Sequence, residues 1–327
     1  MTFEPLDRMD FDARQLFEAY PPRWHHRNKQ VVFDLICSAN CPFEGQIAYA
    51  KWPAQQLPDI LRKRSRVRIH PGVFNYPATR GSTTVEWHMN FADPDLFVAY
   101  GSSLLAQDEL QVAEHPILGS LREALEETGR SAETVDARYR PTPITIAGVQ
   151  RRCAIDTLPN PKAGRPQGLY GNAFSRASLS EVTAATKVIL PPTVSNILAI
   201  AAPAGGDGDY NYDEIDYIAT AAYTGFLAAR LESARFGESG CRTEIHTGFW
   251  GCGAFGGNRI VMTILQALAA DLADADLTFH AFDEAGVLVA EDAYDRYTEM
   301  VASMSSVDQI LRTVTKEKFQ WGESDGN

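Results

Sequence analysis

The chain has 327 residues, with 30 Lys plus Arg against 42 Asp plus Glu and a formal net charge of −12. That balance argues against a protein whose whole surface grips nucleic acid or anionic lipid, because such partners are held by lysine and arginine. At this length roughly three quarters of the unfolded surface is buried on folding, and five scattered cysteines do not make the dense disulfide framework of a small secreted domain. The opening residues lack the basic and apolar regions of a signal peptide, and no apolar stretch approaches a bilayer's thickness. A soluble cytoplasmic protein is expected, without a membrane or direct nucleic-acid partner.

In chain order, the first 70 residues read as mixed, with a Pro-broken aromatic opening at Tyr20, Pro21, Pro22 and Trp24 and an amphipathic helix expected over 53–64. Residues 72–83, rich in Pro, Gly and Thr, read as loop, and 84–91 have the β-branched and aromatic content of a strand. A helix starting near Leu104 is stopped by the His115-Pro116 pair, since proline disfavours helix at the residue before it. Residues 118–128 form a further helix by periodicity. Then come a strand at 141–148, a loop at 159–171, a buried strand at 195–202, a helix at 213–233 and a strand at 241–249. A glycine loop at 251–257, a helix at 259–273, a strand at 277–282 and a polar tail at 322–327 complete the reading. Strands alternating with helices imply an α/β sheet with helices on its faces.

The most informative stretch is Thr247-Gly248-Phe249-Trp250-Gly251-Cys252-Gly253-Ala254-Phe255-Gly256-Gly257-Asn258. Glycines at 251, 253 and 256 let a backbone approach a ligand closely, and a helix starting near Asn258 aims N–H groups and its positive dipole end at the same place, as in diphosphate sites. The spacing also satisfies G-x-G-x-x-G, and Asp283 follows the next strand, but only about forty residues remain beyond it. A full dinucleotide-binding domain for a nicotinamide oxidoreductase needs more.

This stretch resembles the T-G-N-W-G-C-G-A-F-G-G-D motif of the poly(ADP-ribose) glycohydrolase family, a branch of the macrodomain fold. Ten of twelve positions match, with Phe249 in place of an asparagine that borders the ligand and Asn258 in place of a helix-opening aspartate. Phe282 falls at the separation from Phe255 where the family has a ligand-stacking phenylalanine. The family's K-A-Y-x-G-F helix end looks like Ala222-Tyr223-Thr224-Gly225-Phe226, and its I-V-A-I-D-A strand is similar to 197–202. Upstream, the family's D-F-A-N, G-G-G and Q-E-E register with Asn90-Phe91-Ala92-Asp93, Phe97-Val98-Ala99 and Gln107-Asp108-Glu109, followed by Pro116.

The resemblance implies a macrodomain-like mixed sheet sandwiched by helices, spanning 71–327, with residues 1–70 as an N-terminal helical extension. It implies hydrolysis of a ribosyl O-glycosidic bond in poly(ADP-ribose) or a smaller ADP-ribose derivative. Glu109 would be the acid and base, and Asp108 with Gln107 would hold it in place. A carboxylic acid that protonates the departing oxygen and then activates water is what such a bond requires. Gly251, Cys252, Gly253, Ala254 and Gly256 would cradle the diphosphate beside Phe249 and Trp250. Phe255, Phe282 and Tyr223 would pack on ribose or adenine, and Asn90 and Asp93 would contact adenine or ribose. The partner implied is an ADP-ribose-containing small molecule or an ADP-ribosylated protein, with no cofactor and no metal. The alternative is a catalytically impaired reader that binds ADP-ribose or a related dinucleotide, because Phe97-Val98-Ala99 puts side chains where a glycine run would hug the phosphates.

Other signals point elsewhere less well. The acids at 207–213 mimic a calcium loop, but Tyr212 takes its glycine position and Ile218 its bidentate glutamate position. Cys37 and Cys41, or His25 and His26, lack a second pair at zinc spacing. The basic run of Arg62, Lys63, Arg64, Arg66 and Arg68 reads as a solvated helix end.

Overall fold

The computed structural model describes residues 3–37, 42–61, 65–76, 83–203 and 205–326. In chain order its elements are β1 (Asp7–Asp12), α1 (Ala13–Ala19), α2 (Arg27–Ile36), β2 (Gln46–Lys51), β3 (Val67–His70), β4 (Thr84–Ala92), α3 (Gln107–Glu114), α4 (Ile117–Glu127) and β5 (Ile144–Ile155). There follow α5 (Ala173–Arg176), α6 (Leu179–Ala185), β6 (Thr186–Ala201), α7 (Tyr212–Phe236), β7 (Arg242–Gly248), α8 (Arg259–Ala273), β8 (Asp276–His280), α9 (Glu284–Ser303) and α10 (Val307–Lys316). Among the described residues the strands make one sheet in the order β1-β2-β5-β6-β4-β7-β8-β3. It is parallel from β6 to β3 and antiparallel from β1 to β6.

Both faces of the central strands are buried. On one side Trp87 and Met89 of β4 and Leu198 and Ile200 of β6 pack in a core with α7 and α8 residues such as Phe226, Ile264 and Leu268. On the other, Ala92, Ile197 and Ala199 join Ala13 and Leu16 of α1 and Leu118 and Leu121 of α4. A parallel strand covered twice is a continuous apolar run rather than an alternating one, which is why 195–202 reads as strand in the sequence. Among the described residues no helix is long and apolar enough to cross a membrane.

The N-terminal part expected as a helical extension carries α1 and α2, and it also supplies strands: β1 and β2 at one edge of the sheet and β3 at the other. The helix expected over 53–64 does not form over its described part, 53–61. Pro58 has no N–H to donate and bars helix at Leu57; instead Leu57 and Leu61 pack singly on the main core. The basic residues Arg62, Lys63 and Arg64 and the cysteine at 41 lie outside the described residues, as does 77–82 of the expected loop.

Gly148 holds the β2–β5 pairing. The ladder to β6 shifts register between 146 and 149, φ at Gly148 is 84°, and a Cβ there would sit 2.2 Å from the Gln46 carbonyl oxygen. Gly148→Ala therefore combines left-handed backbone strain with a clash against backbone that cannot swing away. It should lower unfolding free energy by about 1–3 kcal/mol in urea denaturation; an unchanged midpoint would show this close approach to be dispensable.

Candidate active site

The site arises where the sheet opens. β4 pairs with β7 from Thr84–Arg242 to His88–His246 but stays paired with β6 as far as Ala92–Ala201. Beyond His88 the β7 side of β4 is taken by a side chain: Gln107 Oε1 accepts from the Phe91 N–H at 2.7 Å and its Nε2 donates to the Met89 carbonyl at 2.9 Å. β4 continues toward α3 and α4 on one face of the sheet, and β7 continues to α8 on the other. Divergence of neighbouring connections opens a crevice at the carboxyl ends of strands, the usual ligand position in open α/β sheets.

A cavity of about 300 Å³ occupies this crevice. One wall is the α3 start with Phe91 and Asp93 of the β4 end and Val98 and Ala99 of the loop between them; the opposite wall is Ala202, Phe249, Trp250, Gly251, Gly253, Ala254 and Phe255. Tyr170 and Asp325 also line it.

Asp108 and Glu109 open α3, with 7% and 4% of their surface exposed. Glu109 Oε2 accepts the Ala106 N–H at 3.0 Å, fixing the carboxylate against the helix start. Asp108 Oδ1 accepts from Asn90 Nδ2 at 3.0 Å. Burial, followed by the charge of Glu109, holds the Asp108 carboxyl well above the usual aspartate range. Lys29 of α2, 1% exposed, feels the charge of both acids, and its Nζ donates to the Tyr100 carbonyl at 2.7 Å. Burial brings its amine down to about 8, while the charges of Glu109 and Asp108 oppose that fall.

The glycine loop is tightly folded upon itself. Gly251 has φ 73°, and a Cβ there would sit 2.6 Å from Ala202 Cβ and 2.8 Å from Met262 Cε. Trp250 is fully buried and donates its indole N–H to the Ile200 carbonyl at 2.9 Å. The N–H groups of Cys252, Gly256 and Gly257 donate to the carbonyls of Phe249, Gly253 and Gly251. At the α8 start, Asn258 Oδ1 accepts from the Ile260 and Val261 N–H groups, and the Asn258 N–H donates to Tyr210 Oη. The expectation of a helix end with unengaged N–H groups is corrected here: the aspartate-to-asparagine change left a good cap, and the cap serves the helix itself. Of this segment, 249–251 and the loop crest 253–255 line the cavity.

The sequence-predicted residues separate into those the fold brings together and those it does not. Gln107, Asp108, Glu109, Asp93, Phe249, Trp250, Gly251, Gly253, Ala254 and Phe255 share the cavity. Asn90 is fully buried behind it, bonded to Asp108. Cys252 and Gly256 lie on the loop away from the cavity lining; burial pushes the Cys252 thiol up to about 12. Tyr223 packs inside the α7 core, and Phe282 is 55% exposed at φ 67°; neither lines the cavity. Phe97 was expected to fill the glycine-run space. It is turned fully into the α4-side core at φ 58°, so of the three only Val98 and Ala99 face the cavity. Sequence reasoning missed Lys29, Tyr170 and Asp325, which stand far from the motifs; a buried lysine on an amphipathic helix and an acid in a polar tail carry no distinguishing pattern.

Residues 170–288, a little over a third of the chain, match the family model described as poly(ADP-ribose) glycohydrolase, macro domain fold. Solved structures are also similar. The poly(ADP-ribose) glycohydrolase of Thermomonospora curvata aligns at 17% identity over 89% of this chain and 85% of that one, with a TM-score of 0.42; the same enzyme bound to the inhibitor ADP-HPD aligns at 20% over 71% and 78%, TM-score 0.46. The glycohydrolase of Deinococcus radiodurans in complex with ADP-ribose aligns at 12% over 90% and 95%, TM-score 0.42. The segment 170–288 of this α/β protein is thus similar to poly(ADP-ribose) glycohydrolases and their macrodomain fold.

The raised Asp108 has a consequence for stability. Its folded value lies above its unfolded one, so its contribution is complete below the ordinary aspartate range near pH 4 and is lost as pH rises toward the folded value. Asn cannot ionise. The melting temperature of Asp108→Asn relative to wild type should therefore climb between pH 4 and pH 8, by about 2 °C or more. A difference independent of pH in thermal denaturation would show that Asp108 ionises freely in the folded protein.

Proposed function

We propose that this chain is an ADP-ribosyl glycohydrolase that cleaves a ribosyl O-glycosidic bond, with Glu109 as the single acid and base. The observation that carries the reading is the pair of buried carboxyl groups on the cavity wall opposite a glycine-loop crest, with the Asp108 carboxyl pushed up by burial and then by the charge of Glu109. A carboxylic acid that gives a proton to the departing oxygen and, once ionised, takes one from water is what the reaction needs.

In this reading the ADP-ribosyl group lies between α3 and the loop 249–255. The Glu109 carboxylic acid gives its proton to the departing ribosyl oxygen as the C1–O bond breaks. The resulting oxocarbenium-like carbon is then attacked by water, whose proton returns to the Glu109 carboxylate. Gln107 holds the start of α3 to β4 through two backbone bonds, and Asn90 orients Asp108. Phe255 and Phe249 offer apolar faces for ribose or base. The ligand is an ADP-ribosylated protein or a smaller ADP-ribose derivative, and no cofactor takes part.

A second reading, binding without turnover, is favoured by one observation: the side chains of Val98 and Phe249 stand in the cavity lining at positions where the motif has glycine and asparagine. Incubation of the protein with poly(ADP-ribose) and with mono-ADP-ribosylated protein separates the two. Released ADP-ribose should appear with wild type, and Glu109→Gln should slow it by about 10²–10⁴-fold while leaving calorimetric ADP-ribose binding intact. Binding without release by wild type selects the reader; equal rates for wild type and variant remove Glu109 from the mechanism; no binding by either removes both readings.

A further inference from the structure

After α10 the chain turns back across the glycine loop. The Tyr210 N–H donates to the Phe319 carbonyl at 2.9 Å, Trp321 N–H to Gly208 at 2.9 Å, and Asn258 Nδ2 to Gln320 at 3.1 Å. The Trp321 ring stacks on Tyr210 with centroids 4.2 Å apart. This anchored part reads as structure: it clamps the loop ahead of α7 to the start of α8.

The residues beyond it lie on the loop that faces the cavity. The Gly322 N–H donates to the Gly256 carbonyl at 2.7 Å and the Asp325 N–H to the Gly253 carbonyl at 3.4 Å; Asn172 Nδ2 holds the Gly326 carbonyl at 2.8 Å. A Cβ at Gly256 would sit 2.7 Å from the Gly322 carbonyl oxygen, and one at Gly253 would sit 3.1 Å from Asp325 Oδ2. Close approach at these two glycines is therefore made by the protein's own tail. Asp325 lines the cavity, and its charge adds to burial in pushing the Tyr170 hydroxyl up to about 12. Asp325 is the fourth acid of the lining, with Asp93, Asp108 and Glu109, and among the described lining residues there is no lysine or arginine.

We propose that the segment 322–326 is a built-in lid on the ligand site, with Asp325 as the residue that bars a phosphate-bearing ligand from the loop crest until the segment lifts away from its Trp321 anchor. The proposal rests on the reading of the cavity as an ADP-ribosyl site and adds its regulation. The physical basis is twofold. A diphosphate at the crest would meet a carboxylate of like charge at its edge, and it would compete for space with a backbone already bonded there. A ligand that binds only the open state has its apparent affinity reduced by the fraction of molecules that are open.

Calorimetric titration with ADP-ribose of the full chain, of Asp325→Asn and of a chain ended after Trp321 tests this. Asp325→Asn keeps the tail bonds and guards against a truncated chain that fails to fold. Expected are binding about tenfold tighter for the shortened chain and severalfold tighter for Asp325→Asn, with faster amide exchange at Gly322 and Asp325 in the wild-type protein when ADP-ribose is added. Equal affinities in all three proteins, or greater protection of those amides with ligand, overturn the lid and leave the glycohydrolase reading standing. Weaker binding by both variants overturns it by making the tail part of the ligand site. Binding by none of the three removes the ADP-ribosyl reading and the lid with it.

Discussion

The site depends on the point where β4 parts from β7. Parallel strands satisfy one another's backbone groups only while they run side by side, and an unpaired buried N–H or C=O is costly. Once β7 has left the ladder at His246, the Phe91 N–H and Met89 carbonyl need partners at the centre of the sheet. Gln107 supplies a donor and an acceptor on one side chain and meets both. That forces the first turn of α3 to sit at the carboxyl end of β4, so Asp108 and Glu109 point into the crevice by virtue of their position next to Gln107. The parting that makes room for a ligand thus also places the acids.

Placing two carboxyls there has an electrostatic cost that the neighbourhood shapes rather than removes. Asn90, fully buried on β4, donates to Asp108 and so answers it. Lys29, carried in by a helix from the N-terminal part, brings a cation within reach of both acids' charge while burial lowers its own proton affinity. The combination holds the Asp108 carboxyl above its usual range, through burial first and the charge of Glu109 second, while Lys29 and Asn90 oppose the rise. It also binds the first 70 residues to the site: α2 delivers the lysine, and the Tyr100 carbonyl that receives it belongs to the same loop that turns Phe97 inward and Val98 and Ala99 toward the cavity.

How much of this could be read in the sequence follows from how local each cause is. The end of β6 shows in the sequence as an apolar run and β4 as a stretch of β-branched and aromatic residues, and the bounds of α8 are legible because Asn258 caps it and its apolar period is regular. Gln107, Asp108 and Glu109 were legible through their adjacency and a motif register. The edge strands β1 and β3 were not. Their burial is shallow and mixed, and their pairing partners lie 34–44 and 210 residues away. The helix expected over 53–64 failed because its apolar spacing served extended chain laid on a core, a case in which prolines outweigh periodicity.

The glycine loop shows the sharper limit of sequence reasoning. A glycine is required wherever something comes too close for a Cβ, and the sequence does not say what that something is. At 251 it is Ala202 and Met262 of the protein's own core, and at 253 and 256 it is the tail at Asp325 and Gly322. A ligand's phosphates, pressed on the same backbone, would select the same residues. Where a ligand and a segment of chain impose the same steric demand at one place, they exclude each other there, so the composition that marks a phosphate site also marks the surface on which a competing tail fits.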